Sequence, residues 1–494
     1  MDTLLIAFQN VFSPIGLLSI VFGTALGIFV GAMPGLGPSM GVALLIPLTF
    51  TLPPSISLVL LISLYLAAEY GGSISAVLIG TPGTAAATAT VVDGYPLNLL
   101  GYPGKALMTS LTASSIGGVI GGVALMLASS PIADFALRFG PVEYCSLGIM
   151  GLTIIASLSG DALVKGLGAA ALGLCLTLVG VDPVSGMARF TFGMYELYEG
   201  IPFLTALIGL FAMAEVFIMV ERSLGGAKKP AISGESLTGK ELKHILPACL
   251  RGSIIGTVVG AIPGAGASIA CWIAYDQEKR FTKHPDRPFG EGALRGIAGP
   301  ESANSATVGG ALIPLLTLGM PGSPTTAVLI GALIIHGLQP GPKLFVDHVD
   351  IVYTLFVGLS VSYVVLYLLG RLGMRLWVKI VSIPQTVLAP IIFGLSAVGA
   401  YSIRSLTFDI WLALGFGLLG YILKKARFPL APLILAMILG PMVESNYNRA
   451  LLLAQNDGHL IFLQSPLSVA LLLLSVVAFF YPIIRAHREK KKAL

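Results

Sequence analysis

The 494-residue chain is 55% hydrophobic and only 11% charged, with a mean hydropathy of +0.90. Soluble domains carry about 25% charged residues, so this composition excludes a soluble enzyme, a nucleic-acid binder and a disordered chain. A net charge of +5 matters less than where the basic residues sit.

A bilayer core about 30 Å thick takes about 20 apolar residues per helix. The first apolar stretch, 15–52, is interrupted by Gly31-Ala32-Met33-Pro34-Gly35-Leu36-Gly37. The second, 54–92, is interrupted by Gly80-Thr81-Pro82-Gly83-Thr84. Unbroken candidate spans follow at 106–130, 141–160, 163–182 and 201–221. After a polar, basic segment come 252–275, broken by Gly260-Ala261-Ile262-Pro263-Gly264-Ala265-Gly266, and 302–337, broken by Gly319-Met320-Pro321-Gly322-Ser323. Spans at 351–370, 385–402, 407–423, 429–445 and 466–485 complete the series.

Basic residues mark the cytoplasmic side. Residues 1–104 hold none, and 24 of the 29 Lys and Arg can be placed on one face. That placement puts basic clusters at both ends of 252–275, so the stretch does not cross once. Each half also looks too short to span. A re-entrant hairpin with its tip at Pro263-Gly264 meets both conditions, and such backbone is tolerated only where protein or a water-filled cavity shields it.

The two Gly-Ala-x-Pro-Gly-x-Gly motifs are 229 residues apart, and the two later Pro-Gly breaks are 239 apart. The ten-residue difference fits the polar insert around Lys279–Glu291. An odd number of crossings between the copies inverts the second. The expected fold is therefore an all-α polytopic membrane protein of two inverted-topology repeats. Each repeat has a re-entrant hairpin and a broken transmembrane helix, giving roughly eleven full spans plus two hairpins. The expected division is 1–221 for the first repeat, 222–250 for a cytoplasmic loop, 251–445 for the second repeat and 446–494 for a last span with a basic tail. The N-terminus then lies outside and the C-terminus in the cytoplasm.

Inverted repeats with paired broken helices point to a secondary transporter whose site lies near the midplane. Helix N-termini offer unpaired N–H groups and a partial positive charge, so they bind carboxylates without a buried Arg or Lys. Four half-helices begin after the breaks. Their candidate ligand groups are Gly37 and Ser39, Thr84 and Thr88, Gly266 and Ser268, and Ser323, Thr325 and Thr326, with Pro34, Gly35, Pro263, Gly264 and Gly322 at the turns. Pro and Gly also serve plain helix packing in membranes, but four breaks in paired positions favour a site. Opposite half-helix ends present carbonyls suited to a hard cation. Asn304 and Ser305, with the tip carbonyls near Pro34 and Pro263, are the candidate cation ligands. Ser302 or Asn304 could instead cap the helix that starts there. Glu69, Asp276 and Glu215 are the acids nearest membrane depth, where an acid is functional by default.

Other motifs carry less. Gly234-Glu235-Ser236-Leu237-Thr238-Gly239-Lys240 imitates a phosphate-binding loop, but Glu241 stands where Ser or Thr would hold Mg²⁺. Cys145, Cys175, Cys249 and Cys271 show no metal spacing and read as small buried hydrophobes. His336 sits at a span end. No nucleophile–base set appears, so an enzyme is not expected.

The chain resembles the TctA family, the large membrane subunit of the tripartite tricarboxylate transporters. The similarity covers roughly 12–460 and rests on G-A-M-P-G-L-G-P at 31–38, Y-G-G-S-I-S-A-V at 70–77, D-G-Y-P at 93–96, D-P-V-S-G at 182–186 and R-F-T-F-G at 189–193. It continues in G-A-I-P-G-A-G-A at 260–267, P-E-S-A-N-S-A at 300–306, G-M-P-G-S-P-T-T at 319–326 and H-G-L-Q-P-G-P at 336–342. The resemblance implies a bacterial inner-membrane permease that imports small di- or tricarboxylates such as citrate on a cation gradient. It implies two partners, a periplasmic substrate-binding protein and a small membrane subunit. It adds Tyr70, Gly71, Gly72 and Ser73 to the candidate substrate residues. No cofactor is expected beyond a coupling cation, Na⁺ or H⁺. The alternative is an ion or carboxylate channel without coupling, although channels usually repeat one pore motif around a symmetric oligomer.

Overall fold

The computed structural model describes residues 2–33, 35–157, 163–182, 186–222, 237–380, 383–454 and 458–492. The chain opens with α1 (Asp2–Phe12) and α2 (Pro14–Ala32). Ser13 caps α2 by accepting from the Gly16 N–H at 3.0 Å, and Pro14 sits where its missing N–H costs nothing. Next come α3 (Pro38–Leu45), α4 (Pro54–Ile79), α5 (Thr88–Leu99), α6 (Pro103–Ala136), α7 (Pro141–Ser157) and α8 (Leu163–Thr177). A short ladder pairs β1 (Gly180–Val181) antiparallel with β2 (Ala188–Arg189), Gly180 opposite Arg189. Helix α9 (Phe203–Leu207) runs through a π-helical turn, Ile208–Met213, into α10 (Ala214–Arg222).

The second half begins with α11 (Gly239–Gly260), α12 (Gly266–Phe281), α13 (Leu294–Leu318) and α14 (Pro324–Ile335). Then follow α15 (Leu344–Asp347), α16 (Val349–Leu372), α17 (Met374–Ile380) and α18 (Gln385–Arg404). The chain ends in α19 (Thr407–Lys425), α20 (Leu430–Ala454), α21 (Ile461–Gln464) and α22 (Pro466–Lys492).

These helices form two compact units. One holds 1–133 and 215–399; the other holds 134–214 and 400–494. Each unit therefore draws on both halves of the sequence. The second is fixed by polar links between apolar helices. Ser146 on α7 meets Ser468 on α22 at 2.7 Å. Arg404 binds Asp409 at 2.5 Å and the Glu196 carbonyl at 3.0 Å.

The first unit is built from close glycine contacts. A Cβ on Gly23, Gly27 or Gly31 of α2 would land on the carbonyl oxygens of Leu60, Leu64 and Ala68 of α4. A Cβ on Gly252, Gly256 or Gly260 of α11 would land on those of Gly299, Ala303 and Thr307 of α13. These are the same contacts shifted by 229 residues on one helix and 239 on the other. The breaks repeat the pattern, for Gly83 abuts the Gly31 carbonyl and Gly322 abuts that of Gly260. Small residues let membrane helices pack backbone to backbone, where dispersion and weak polar contacts replace the missing hydrophobic drive.

Nine helices among the described residues are long and apolar enough to cross a membrane, or ten if the bent pair Gly458–Gln464 and Pro466–Phe480 counts as one. The expected eleven spans plus two hairpins differ in detail. Helix α11 starts at Gly239 and not near 252, so its 22 residues reach about 33 Å, and the first arm of 252–275 is long enough to cross. The reason is an N-cap: Thr238 and Glu241 form a capping box, with Thr238 N–H donating to Glu241 Oε2 at 2.8 Å. Thr238, Gly239 and Lys240, the end of the stretch that imitated a phosphate loop, start a helix, while 234–236 lie outside the described residues. Helix α2, at 19 residues, also passes as a span, while α8 has only 15. Cys175 is exposed, unlike the other three cysteines, and all four are free.

The polar insert between α12 and α13 is pinned to α5 by the Asp93 carboxylate. Asp93 on α5 accepts from the N–H groups of Gly290, Gly292 and Ala293 at 2.8–2.9 Å and from the Tyr275 hydroxyl at 2.9 Å. Asp93→Ala leaves four donors without a partner. It should destabilise this segment by about 2–3 kcal/mol, seen as faster proteolysis within 282–293 while Asp276→Ala, at a surface ion pair, cleaves as wild type. Equal cleavage of both variants would remove Asp93 from this role.

Candidate functional site

Both broken helices end on a left-handed glycine, Gly80 at φ +68° after α4 and Gly319 at φ +70° after α13. Side chains cannot follow that turn without strain. Each return segment then folds back. The Gly83 N–H donates to the Gly72 carbonyl at 3.1 Å, and the Gly264 N–H of the second hairpin tip donates to the Gly322 carbonyl at 3.2 Å. Thr84 accepts from the Ala87 N–H at 3.3 Å ahead of α5. Ser323 and Thr326 form a capping box at the start of α14. The four half-helix starts expected from the sequence are α3, α5, α12 and α14.

The two halves meet here. Ser39 on α3 lies 3.0 Å from Thr325 on α14, hydroxyl to hydroxyl. Tyr65 on α4 reaches Ser323 at 3.1 Å, and Thr49 reaches the His336 ring at 3.0 Å. The reciprocal contact packs Cys271 of α12 against Ala86 and Ala89 at the start of α5. So α3 packs on α14 and α12 packs on the start of α5, each pair joining the two halves of the sequence.

The remaining candidate residues separate by environment. Pro34 lies outside the described residues. Gly35 turns at φ +98° against the Glu215 carboxylate, and Gly37 is the N-cap position of α3 with open space beside its Cα. Pro263, Gly264, Gly266 and Ser268 are half-buried, with Gly264 at φ +79° and Gly266 at φ +68°. Tyr70 is buried, Gly71 packs on the Ile28 carbonyl of α2, and Gly72 packs on Thr84. Thr88 is half-buried, and its hydroxyl donates to the Ala85 carbonyl at 2.8 Å.

Asn304 and Ser305 are not at a helix entrance. Helix α13 starts at Leu294, with Pro300 inside it, so neither Ser302 nor Asn304 is a cap. Asn304 Nδ2 donates to the Glu69 carbonyl at 3.2 Å. Its Oδ1 and the Ser305 hydroxyl are buried with no hydrogen-bond partner. Buried polar groups are nearly always paired, so these two atoms stand out as candidate ligand groups.

Of the acids singled out from the sequence, Asp276 is a surface residue paired with Arg280 at 2.8 Å and leaves the candidate set. Glu69 and Glu215 are buried. The sequence reading passed over Glu301, which is 0% exposed. Its Oε1 accepts from Ser73 at 2.5 Å and from Thr90; its Oε2 accepts from Ser110 and Ser114 at 3.0 Å each. Ser73 thus serves Glu301. Among the described residues no Lys or Arg pairs with Glu301. Burying a bare carboxylate costs several kcal/mol, and four hydrogen bonds to a charged group, at about 1.5–3 kcal/mol each, are of the size to offset it. Two signals for this cluster stood in the sequence: a lone acid at the head of an apolar run, the only one between Glu291 and Asp347, and Ser110 and Ser114 one helical turn apart.

A family model described as "Tripartite tricarboxylate transporter TctA family" matches residues 17–435. The chain is 36% identical over 495 residues to an Agrobacterium vitis protein described as "Uncharacterized 52.8 kDa protein in TAR-I ttuC' 3'region", covering 99% of this chain and 98% of that one. It is 35% identical over 238 residues to "Uncharacterized protein in TAR-II ttuC' 3'region" of the same organism, covering 48% of this chain and 98% of that one. No solved structure matches the chain.

Proposed function

Because the chain belongs to the tripartite tricarboxylate transporter TctA family, we propose that it is the permease subunit of a binding-protein-dependent secondary transporter that imports small di- or tricarboxylates on a cation gradient. The observation that carries this reading is the Ser39–Thr325 contact, where the post-break helices of the two halves meet. The recurrent glycine contacts of α2 on α4 and α11 on α13 support two related repeats, inverted in the membrane. The N-termini of α3, α5, α12 and α14 supply donors to the carboxylates. Each terminus contributes about half a charge, so four offset about two negative charges. A third charge needs a co-bound cation, which favours coupled transport over passive flow. Where the cation is Na⁺, Asn304 and Ser305 hold it; where it is H⁺, an acid must carry it, since neither an amide nor a hydroxyl binds a proton near neutral pH. The hairpins and broken helices, all within one compact unit, travel together in an elevator-like cycle.

A periplasmic binding protein delivers the substrate, and a small membrane subunit completes the assembly in the bacterial inner membrane. Counterflow in proteoliposomes tests the transport reading. Labelled citrate or malate should enter against a high internal concentration of the same unlabelled acid. Conductive flux without counterflow would identify a channel instead.

Orientation has its own test. Single cysteines at Glu235 and His284 should both label only from the cytoplasmic side. Labelling of either from the periplasm would reverse the placement of 24 basic residues and remove the inversion.

A further inference from the structure

Four acids of the described chain are essentially without exposure: Asp93, Glu278, Glu301 and Asp409. Three are held mainly by N–H donors. Asp93 accepts from three backbone N–H groups. Glu278 takes a two-point contact from Arg251, Nε at 2.6 Å and Nη2 at 2.7 Å. Asp409 is paired with Arg404. At Asp93 the three N–H groups share Oδ1 and a single hydroxyl, that of Tyr275, meets Oδ2; at Glu278 and Asp409 the close partners are guanidinium N–H groups, which have no lone pair to give.

Glu301 is different in kind. All four of its partners are hydroxyls, from α4, α5 and α6, and a hydroxyl both donates and accepts. With all four hydrogens turned inward, the anion is satisfied. With one hydroxyl reversed, a protonated Glu301 donates to that oxygen and keeps its other bonds, with no heavy atom moved. A metal ion would need oxygens converging on a common point, whereas here two hydroxyls point at each carboxylate oxygen. The other titratable groups that face this carboxylate are Glu69 and Tyr70 on α4 and Cys271 on α12. None of them is a cation. One turn along the same face of α13 sit the unpartnered Asn304 Oδ1 and Ser305 hydroxyl.

We propose that Glu301, within the hydroxyl cage of Ser73, Thr90, Ser110 and Ser114, is a reversible proton-binding site that couples proton movement to carboxylate transport. This deepens the transport reading and rests on it. The repeat does not supply a second copy: 239 residues earlier the position of Glu301 is Ile62, and that of Asn304 is Tyr65. The proton chemistry is therefore confined to one half of a duplicated scaffold.

Two measurements on the whole chain test it. In infrared difference spectra of the protein in lipid, acidification should produce the carbonyl band of a buried carboxylic acid, and Glu301→Gln should lack that band. In vesicles, Glu301→Gln, which imitates the protonated state, should keep citrate counterflow while accumulation under an inward proton gradient falls at least about tenfold. An undiminished infrared band in Glu301→Gln, or accumulation that follows the proton gradient as wild type does, overturns the proposal. Absence of counterflow in the wild-type protein itself would count against the transport reading, and the infrared band would still decide the proton site. Should Glu301→Gln not fold, Ser114→Ala replaces it. Loss of one donor to the anion should move the midpoint of the band toward alkaline pH by about one unit, and an unmoved midpoint overturns the proposal.

Discussion

Gly256→Ala should lower the thermal stability of the protein in detergent sharply. The added methyl group would fall on the backbone carbonyl of Ala303, within contact of its Cα and carbonyl carbon. Backbone cannot rotate aside as a side chain can, so α11 and α13 must separate along their shared face. Overpacking of this kind costs about 1–3 kcal/mol even where side chains can adjust, and here the effect should be at the top of that range or above it. Stability of the folded state is about 5–15 kcal/mol in all. Gly27→Ala, the corresponding site on α2 against the Leu64 carbonyl, should be destabilised to a similar degree. Gly415→Ala has nothing within 4 Å of the added carbon and should match or exceed wild-type stability. Thermal loss of the monodisperse chromatographic peak measures all three. If Gly256→Ala melts with Gly415→Ala, the close approach of α11 and α13 is wrong.

Asn304→Ala should flatten the cation dependence of uptake while the fold survives. The variant loses one neutral hydrogen bond, from Nδ2 to the Glu69 carbonyl, worth about 1 kcal/mol. It also removes Oδ1, an acceptor that pairs with nothing in the structure, so no partner is stranded. In the proposed transport cycle, what is lost is a ligand for the cation. Couplings between two sites are typically about 1–3 kcal/mol, or about 5–150-fold in affinity, and most of that factor should vanish. Uptake of labelled citrate is measured against Na⁺ at fixed pH, then against pH without Na⁺. The curve that is steep in wild type should become shallow in Asn304→Ala. Should neither curve change, Asn304 is not a coupling ligand.

Hydropathy and spacing made the membrane class, the two Gly-Ala-x-Pro-Gly-x-Gly motifs and the four half-helix starts legible, because these depend on local backbone chemistry. Proline removes a donor, glycine admits positive φ, and runs of apolar residues need lipid or protein around them. The family could be recognised from the same motifs. Helix boundaries were less legible: Gly239 begins α11 because Thr238 and Glu241 cap each other, and hydropathy does not register a cap. The polar partners were not legible at all. Glu301 meets Ser73, Thr90, Ser110 and Ser114 across 187–228 residues of sequence, and Ser39 meets Thr325 across 286. A hydroxyl in an apolar helix has the same local pattern whether it bonds its own i−4 carbonyl, as Ser63 does, or solvates a carboxylate on another helix. Only the packing of α13 against α4, α5 and α6 decides between those fates, by fixing which helix faces share one dry interior.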